Sequence, residues 1–160
     1  MTKTPVRFVL NGTDTGVFVD GGANLLDVLR RSVGDLSPKY GCGQGTCGAC
    51  TVLVDGLPHL SCLVLAEAID GRRIETTGGL RQGAQLHPLQ RHFMDGFAAQ
   101  CGYCTPGMLM SAKALLDRVP NPSRDEVIEA ISGNLCRCTG YEPIVDAILS
   151  AAAELRGRVA

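Results

Sequence analysis

The chain has 160 residues, of which 45% are hydrophobic and 19% are charged, so it can bury a core and is not disordered by composition. Its 15 basic and 16 acidic residues give a net charge of −1, which leaves no basic excess for binding nucleic acid. No apolar run approaches the roughly 20 residues of a membrane helix, and the N-terminus lacks the apolar region of a secretory signal. We therefore expect a cytoplasmic protein with no nucleic-acid partner and no membrane span.

The first half of the sequence predicts a small mixed sheet packed on one helix. Asn11-Gly12 is a strong turn signal between two apolar stretches and predicts a hairpin. Asn24 can cap a helix. The buried stripe of that helix is expected to comprise Leu25, Leu26, Val28 and Leu29. Further strands are expected at residues 51–54, 60–62 and 73–76.

The second half predicts a bundle of four helices, each of about 10–16 residues. Leu89, Phe93 and Phe97 recur at helical spacing and predict the buried face of the first of these helices. The helix starts are indicated by Pro88, by Thr105 as N-cap before Pro106, by the capping box from Ser123 to Glu126, and by Pro143.

Eight cysteines form two groups of four on either side of a glycine-rich segment. The first cysteine set is Cys42, Cys47, Cys50 and Cys62, and the second cysteine set is Cys101, Cys104, Cys136 and Cys138. Residues 78–84 contain three Gly and predict a linker, so we expect two domains, 1–79 and 80–160. A hydrophobic core in a domain of this size rarely contributes more than about 3–5 kcal/mol. A metal cluster on reduced cysteines in each domain would supply the missing cross-link.

The first cysteine set has the spacing C-x4-C-x2-C followed by a more distant Cys, which is the spacing of plant-type [2Fe–2S] clusters. Four of the ten residues from Gly41 to Cys50 are glycine. A loop wrapped around a cluster needs left-handed backbone conformations and must bring N–H groups close to sulfur. Zinc is the alternative metal for this set, but a zinc site does not need so much glycine.

The second cysteine set combines Cys101-x2-Cys104 with Cys136-x-Cys138. The first pair precedes a predicted helix start, where the partial positive charge of the helix favours thiolates and an anionic cluster. From the residues alone, this set fits either a second iron–sulfur cluster or a four-Cys zinc site. The Cys-Arg-Cys spacing is unusually tight for zinc.

Three stretches of the sequence resemble the xanthine dehydrogenase family of molybdenum hydroxylases. Residues 41–50 are similar to the first cluster motif of that family, residues 100–108 to the second and residues 133–141 to the third. The match covers essentially the whole chain, and the motifs occur in the order of the family. In this family such a unit is the small iron–sulfur subunit or the N-terminal segment of a longer chain.

The resemblance implies an α+β fold, with an N-terminal ferredoxin-like β-grasp domain followed by a C-terminal four-helix domain. Each domain would hold one [2Fe–2S] cluster. The inner cluster, on the second cysteine set, would lie near the molybdopterin of a large partner subunit. The outer cluster, on the first set, would lie toward FAD on a medium subunit or toward an external acceptor. Gln100 matches the family glutamine whose amide hydrogen-bonds the pterin, and Cys138 matches the cluster ligand closest to the pterin.

The implied function is electron transfer within an oxidoreductase complex, with no catalytic residue on this chain. The alternative is a free-standing two-cluster ferredoxin shuttle. Tyr103 stands where Phe is common in the family, and Gly43 where an acidic residue is frequent, but neither departure removes a ligand. Gly43 is expected to leave the outer cluster less negatively surrounded and to raise its potential slightly.

The histidines are not expected to bind metal, because eight cysteines already complete two sets of ligands. His59, His87 and His92 are therefore expected to have surface or packing roles.

Overall fold

The computed structural model describes residues 3–157, in which a five-stranded sheet is followed by four helices. The strands are β1 (Lys3–Leu10), β2 (Thr13–Asp20), β3 (Thr51–Val54), β4 (Leu57–Leu60) and β5 (Arg73–Glu75). A short helix, α1 (Leu25–Asp27), continues as a π-helical segment (Val28–Val33) between β2 and β3. The later helices are α2 (Pro88–Asp95), α3 (Thr105–Arg118), α4 (Arg124–Ile131) and α5 (Glu142–Gly157).

The sheet has the strand order β2-β1-β5-β3-β4. Strands β1 and β5 are parallel, and the other neighbouring pairs are antiparallel. The predicted hairpin between β1 and β2 is confirmed, and both residues of its turn, Asn11 and Gly12, have positive φ. The α+β architecture expected from the sequence is therefore present.

The helix α1 covers one face of this sheet. Its predicted N-cap is confirmed, because the side chain of Asn24 accepts a hydrogen bond from the Asp27 backbone N–H at 2.8 Å. All four residues of the predicted stripe are buried. Three of them, Leu25, Val28 and Leu29, pack with β1 and β5 in one apolar core.

The strand predicted at residues 60–62 is misplaced. Strand β4 ends at Leu60, and Ser61 begins a turn that returns the chain toward Cys50. The hydroxyl of Ser61 donates to the Cys50 carbonyl at 2.7 Å, so this turn replaces further strand pairing.

The four helices of the second half are confirmed, although α2 and α4 have only eight residues each. The prediction that Phe97 lies on the buried face of α2 is wrong. Helix α2 ends at Asp95 with Gly96 at its C-cap, and Phe97 follows with a φ of +51° and a side chain 82% exposed. Thr105 is likewise not an N-cap: Cys104 occupies that position and Thr105 is the first helical residue.

The two halves share part of their packing. Leu53 of β3 belongs to the same buried core as α2, α3, α4 and α5. Helix α3 therefore packs against the sheet as well as against its neighbouring helices. Within residues 3–157, none of the helices has both the length and the apolar character needed to cross a membrane.

Candidate iron–sulfur centres

The structure brings the first cysteine set together at one end of the sheet. Cys42, Cys47 and Cys50 lie on the loop that leads into β3, and Cys62 follows β4. The thiol of Cys42 contacts that of Cys47, and the thiol of Cys62 contacts that of Cys50. A weaker electrostatic interaction joins Cys42 to Cys62, so the set consists of two close pairs.

The loop around Cys42 supplies the backbone donors that the glycine content predicts. The N–H groups of Gln44 and Thr46 lie 3.4 and 3.2 Å from the Cys42 sulfur and donate to it. Gly43 and Gly45, which alternate with these residues, both have positive φ. N–H groups aimed at a sulfur favour the thiolate and tune the potential of a cluster that it holds.

Cys42 and Cys62, which belong to different pairs of the first set, differ in acidity. Hydrogen bonds from the Thr46 side chain and from the Gln44 and Thr46 backbone lower the pKa of Cys42 to about 5. Burial, together with the hydrogen bond to Cys50, raises the pKa of Cys62 to about 11. In the protein without metal, Cys42 is therefore a thiolate at neutral pH and Cys62 is a thiol.

The second cysteine set is assembled by the helical half. Cys101 and Cys104 lie on the turn that opens α3, and Cys136 and Cys138 lie between α4 and α5. Cys104 contacts Cys136, and Cys101 contacts Cys138. Cys101 and Cys138 are exposed, whereas the other pair is partly buried.

The two partly buried cysteines of the second set, Cys104 and Cys136, have pKa values shifted in opposite directions. Burial raises the pKa of Cys104 to about 12, with a further contribution from Cys136. For Cys136 burial opposes ionisation, but hydrogen bonds from Thr139 and from backbone N–H groups outweigh it and lower the pKa. The hydrogen bond with Cys101 raises the pKa of Cys138.

The pairing of thiols fits a two-iron group better than a single ion. In a [2Fe–2S] core the two irons share bridging sulfides, so each iron takes two of the four thiolates. Two close pairs in each set match that donor arrangement. The positive charge of iron would also stabilise the thiolates of Cys62 and Cys104, which the protein alone leaves protonated.

The two cysteine sets are joined by backbone contacts that the sequence did not reveal. The N–H of Leu135, the residue before Cys136, donates to the carbonyl oxygen of Cys47 at 2.9 Å. The side-chain amide of Asn134 donates to the Gly48 carbonyl at 3.0 Å and accepts from the Ser111 hydroxyl at 2.7 Å. Asn134 is only 3% exposed, so these bonds lie at the centre of the contact.

The contact is close enough to require glycine on both sides. A Cβ at Gly107, in the first turn of α3, would collide with the Gly48 carbonyl oxygen. A Cβ at Gly48 would lie 2.5 Å from the Gly133 carbonyl oxygen. The motifs contained these glycines, but no sequence signal indicated that they face each other.

Gln100 lies outside α2, in the segment that leads to Cys101, and its side chain is exposed. It therefore does not serve to end the helix.

The three histidines lie elsewhere in the fold. His87 caps α2 by accepting a hydrogen bond from the Leu89 N–H at 3.2 Å, and His92 contacts Glu154 of α5 at 3.0 Å. His59 lies in β4 opposite Val52.

Comparison with known proteins gives two family matches in tandem. Residues 8–77 match the 2Fe-2S iron-sulfur cluster binding domain, and residues 76–149 match the [2Fe-2S] binding domain. The small subunit of nicotine 6-hydroxylase from Paenarthrobacter nicotinovorans is 51% identical over 153 residues, which is 96% of this chain and 92% of the relative.

Two further relatives show the same unit in different settings. The crystal structure of quinoline 2-oxidoreductase from Pseudomonas putida 86 contains a chain with a TM-score of 0.94 and 49% identity, matched over 98% of this chain and 97% of that one. Xanthine dehydrogenase of Emericella nidulans is 44% identical over 91% of this chain, which spans only 11% of that longer protein.

These matches confirm the expected order of a ferredoxin-like domain and a helical [2Fe–2S]-binding domain. They also favour a subunit over a free-standing shuttle, because relatives of nearly the same length are named as small subunits. With both family matches, and with a relative in xanthine dehydrogenase itself, the chain belongs to the xanthine dehydrogenase family of molybdenum hydroxylases, as an iron–sulfur electron-transfer subunit.

Proposed function

We propose that the chain works in a complex with a large molybdopterin subunit, with or without a medium FAD subunit, and holds one [2Fe–2S] cluster on each cysteine set. When bound, the two clusters supply one-electron carriers in series between molybdopterin and either FAD or an external acceptor. The observation that carries this proposal is the hydrogen bond from the Leu135 N–H to the Cys47 carbonyl, which links a cysteine of one set to the neighbour of a cysteine of the other.

The chain's own residues hold and separate the two centres. The buried thiols of Cys50 and Cys62 pack with Leu26 and Leu60, which keeps water from that side of the first set. The contact centred on Asn134 fixes one cysteine loop against the other. We also propose the division into domains 1–79 and 80–160. None of the eight cysteines, all of which lie within residues 3–157, forms a disulfide bond. Free cysteines suit a reducing compartment, so we propose that the complex is cytoplasmic.

The second cysteine set faces outward, which supports its assignment as the inner, molybdopterin-facing centre. Cys101 and Cys138 are both exposed, and the exposed Gln100 directly precedes Cys101. In this arrangement Cys138 is the cysteine nearest the pterin, and the Gln100 amide is free to hydrogen-bond it. Cys42, Cys47, Cys50 and Cys62 then hold the outer cluster.

The orientation can be tested without a substrate, by EPR of the intact complex partly reduced with dithionite. A Mo(V) signal is split by a reduced cluster only when that cluster is near. We expect Cys104→Ala to abolish this splitting and Cys47→Ala to leave it unchanged. The opposite pattern would reverse the assignment of inner and outer centres.

The role of Gln100 needs a kinetic test. Gln100→Ala removes an amide hydrogen bond worth about 0.5–1.5 kcal/mol, so it should slow reduction of the inner cluster while iron content stays at the parental value. Rapid mixing of the complex with an aldehyde or N-heterocycle that it oxidises gives the rate. Parental kinetics in this variant would contradict the pterin contact.

A further inference from the structure

Tyr103 lies between two cysteines of the second set, and its side chain reaches the loop of the first set. Its hydroxyl donates a hydrogen bond to the backbone carbonyl oxygen of Tyr40 at 2.6 Å. Tyr40 stands two residues before Cys42 in the sequence. This bond therefore joins the two cysteine loops at a second point, distinct from the bond between Leu135 and Cys47.

Tyr40, whose carbonyl accepts this bond, packs against the loop of the first cysteine set. A Cβ at Gly43 would lie 2.5 Å from the Tyr40 hydroxyl oxygen and 3.0 Å from the ring carbon that bears it. The ring of Tyr40 thus packs against the backbone just after Cys42, and a side chain at position 43 would displace its hydroxyl end. Gly43 also has a φ of +67°, which other residues rarely adopt.

The Tyr103 bond lies at the edge of the contact between the two loops. Tyr103 is 50% exposed and Tyr40 53% exposed, whereas Asn134 is buried. The bonds of Leu135 and Asn134 lie close together near the centre, so by themselves they leave the loops able to rock against each other. A second attachment at the edge restricts that motion. The rate of electron transfer between two carriers falls steeply with the distance between them. A separation that is held fixed therefore favours a fast and uniform rate.

We propose that the Tyr103 hydroxyl is a positioning group that fixes the separation of the two cysteine loops for electron transfer between them. This inference rests on the proposed function of the chain as a two-cluster carrier. The route from Cys136 through Leu135 to Cys47 has fewer bonds than any route through the Tyr103 side chain. Tyr103 therefore acts by holding the loops rather than by conducting the electron.

Tyr103→Phe tests this role, because it removes the hydroxyl and keeps the ring. Tyr40→Phe is the matched control, since the acceptor is the backbone carbonyl of Tyr40, which that substitution retains. Both variants are examined as the cluster-loaded complex. The measurements are the rate of electron equilibration between the clusters after a pulse of reductant, and the dipolar coupling of the two reduced clusters by EPR.

We expect Tyr103→Phe to slow equilibration by about two- to tenfold, the factor by which one hydrogen bond shifts a population, and to broaden the coupled EPR signal. Tyr40→Phe should match the parental protein in both. A parental rate and coupling in Tyr103→Phe would overturn the proposal, even with a lower melting temperature, because the hydroxyl would then only stabilise the fold. Equal slowing in both variants would also overturn it, because the effect would then follow the loss of either tyrosine hydroxyl and not the loss of the bond to the Tyr40 carbonyl.

Failure of the proposed function would be visible elsewhere in the same experiment. The parental complex would then lack two [2Fe–2S] signals altogether. Loss of the Tyr103 effect with both signals present would instead remove only this inference.

Discussion

The N–H of Leu135 donates a hydrogen bond to the carbonyl oxygen of Cys47 at 2.9 Å, although the two residues are 88 positions apart in the sequence. Leu135 precedes Cys136, so the two cysteine sets are separated at this point by one peptide and one hydrogen bond. The buried amide of Asn134 secures the same contact through Gly48. The arrangement makes the relative position of the two loops a property of a few identifiable residues.

Asn134→Ala is predicted to destabilise the protein. The substitution leaves the buried Ser111 hydroxyl without its acceptor, at a cost of about 1–3 kcal/mol. It also removes one of three donors to the Gly48 carbonyl, which keeps its bonds from the Thr51 backbone and side chain. Thermal unfolding of the cluster-loaded protein measures the effect. Ser132→Ala, at an exposed neighbouring position, is the control and should change the unfolding free energy by no more than about 0.5 kcal/mol. Equal stability of the two variants would show that Asn134 does not secure the contact.

Gly107→Ala is predicted to destabilise, against the usual trend for a helix. Alanine normally stabilises a helical position by about 0.5–1 kcal/mol relative to glycine. Here the added methyl group collides with the Gly48 carbonyl, so we expect a loss of about 1–3 kcal/mol. Gly133→Ala is the control, because a Cβ at Gly133 meets no atom within 4 Å. A higher melting temperature for Gly107→Ala would disprove the close approach.

Cys42 is predicted to differ from Cys62 and Cys104 in its reaction with iodoacetamide after the metal is removed. With a pKa of about 5, it is ionised throughout the neutral range, so its alkylation rate should be flat from about pH 6.5 to 8.5. Cys62 and Cys104, with pKa values of about 11 and 12, stay protonated there. Their rates should rise by about tenfold per pH unit.

Peptide mass spectrometry gives the alkylation rate of each cysteine. The same chain in urea is the control, in which all eight cysteines should show one common pH dependence. If Cys42 in the native buffer follows the urea behaviour, the loop is not organised before metal binds.

Replacement of one cysteine in each set should affect the two centres separately. The sets are built by different elements, so Cys47→Ala should remove one reduced-state EPR signal and half of the iron, and leave the other signal intact. Cys104→Ala should give the reciprocal loss. Disappearance of both signals in either variant would show that the two centres assemble only together.

Local patterns in the sequence were sufficient for most of the secondary structure. The Asn11-Gly12 turn, the Asn24 cap and the capping box at Ser123 each depend on residues close in the chain, and each is confirmed. The error at Phe97 has a physical cause: spacing alone continues a helix, but Gly96 ends it and turns the next residue outward.

The contact between the cysteine sets could not be predicted in this way. Asn134, Gly48 and Gly107 are far apart in the sequence, and they meet only because α3 packs against β3. No sequence pattern pointed to Tyr40, because its role depends on the space beside Gly43 and on a hydrogen-bond donor, Tyr103, that is 63 positions away. The assignment of individual cysteines to each cluster remains a proposal.

Metal and sulfide analysis of the purified, cluster-loaded protein, combined with EPR of the dithionite-reduced sample, tests the account most directly. Two sets of four thiols, each holding a two-iron core, predict about four iron and four acid-labile sulfides per chain, with two distinct one-electron signals. About two iron per chain, or zinc in stoichiometric amount with no acid-labile sulfide, would contradict it.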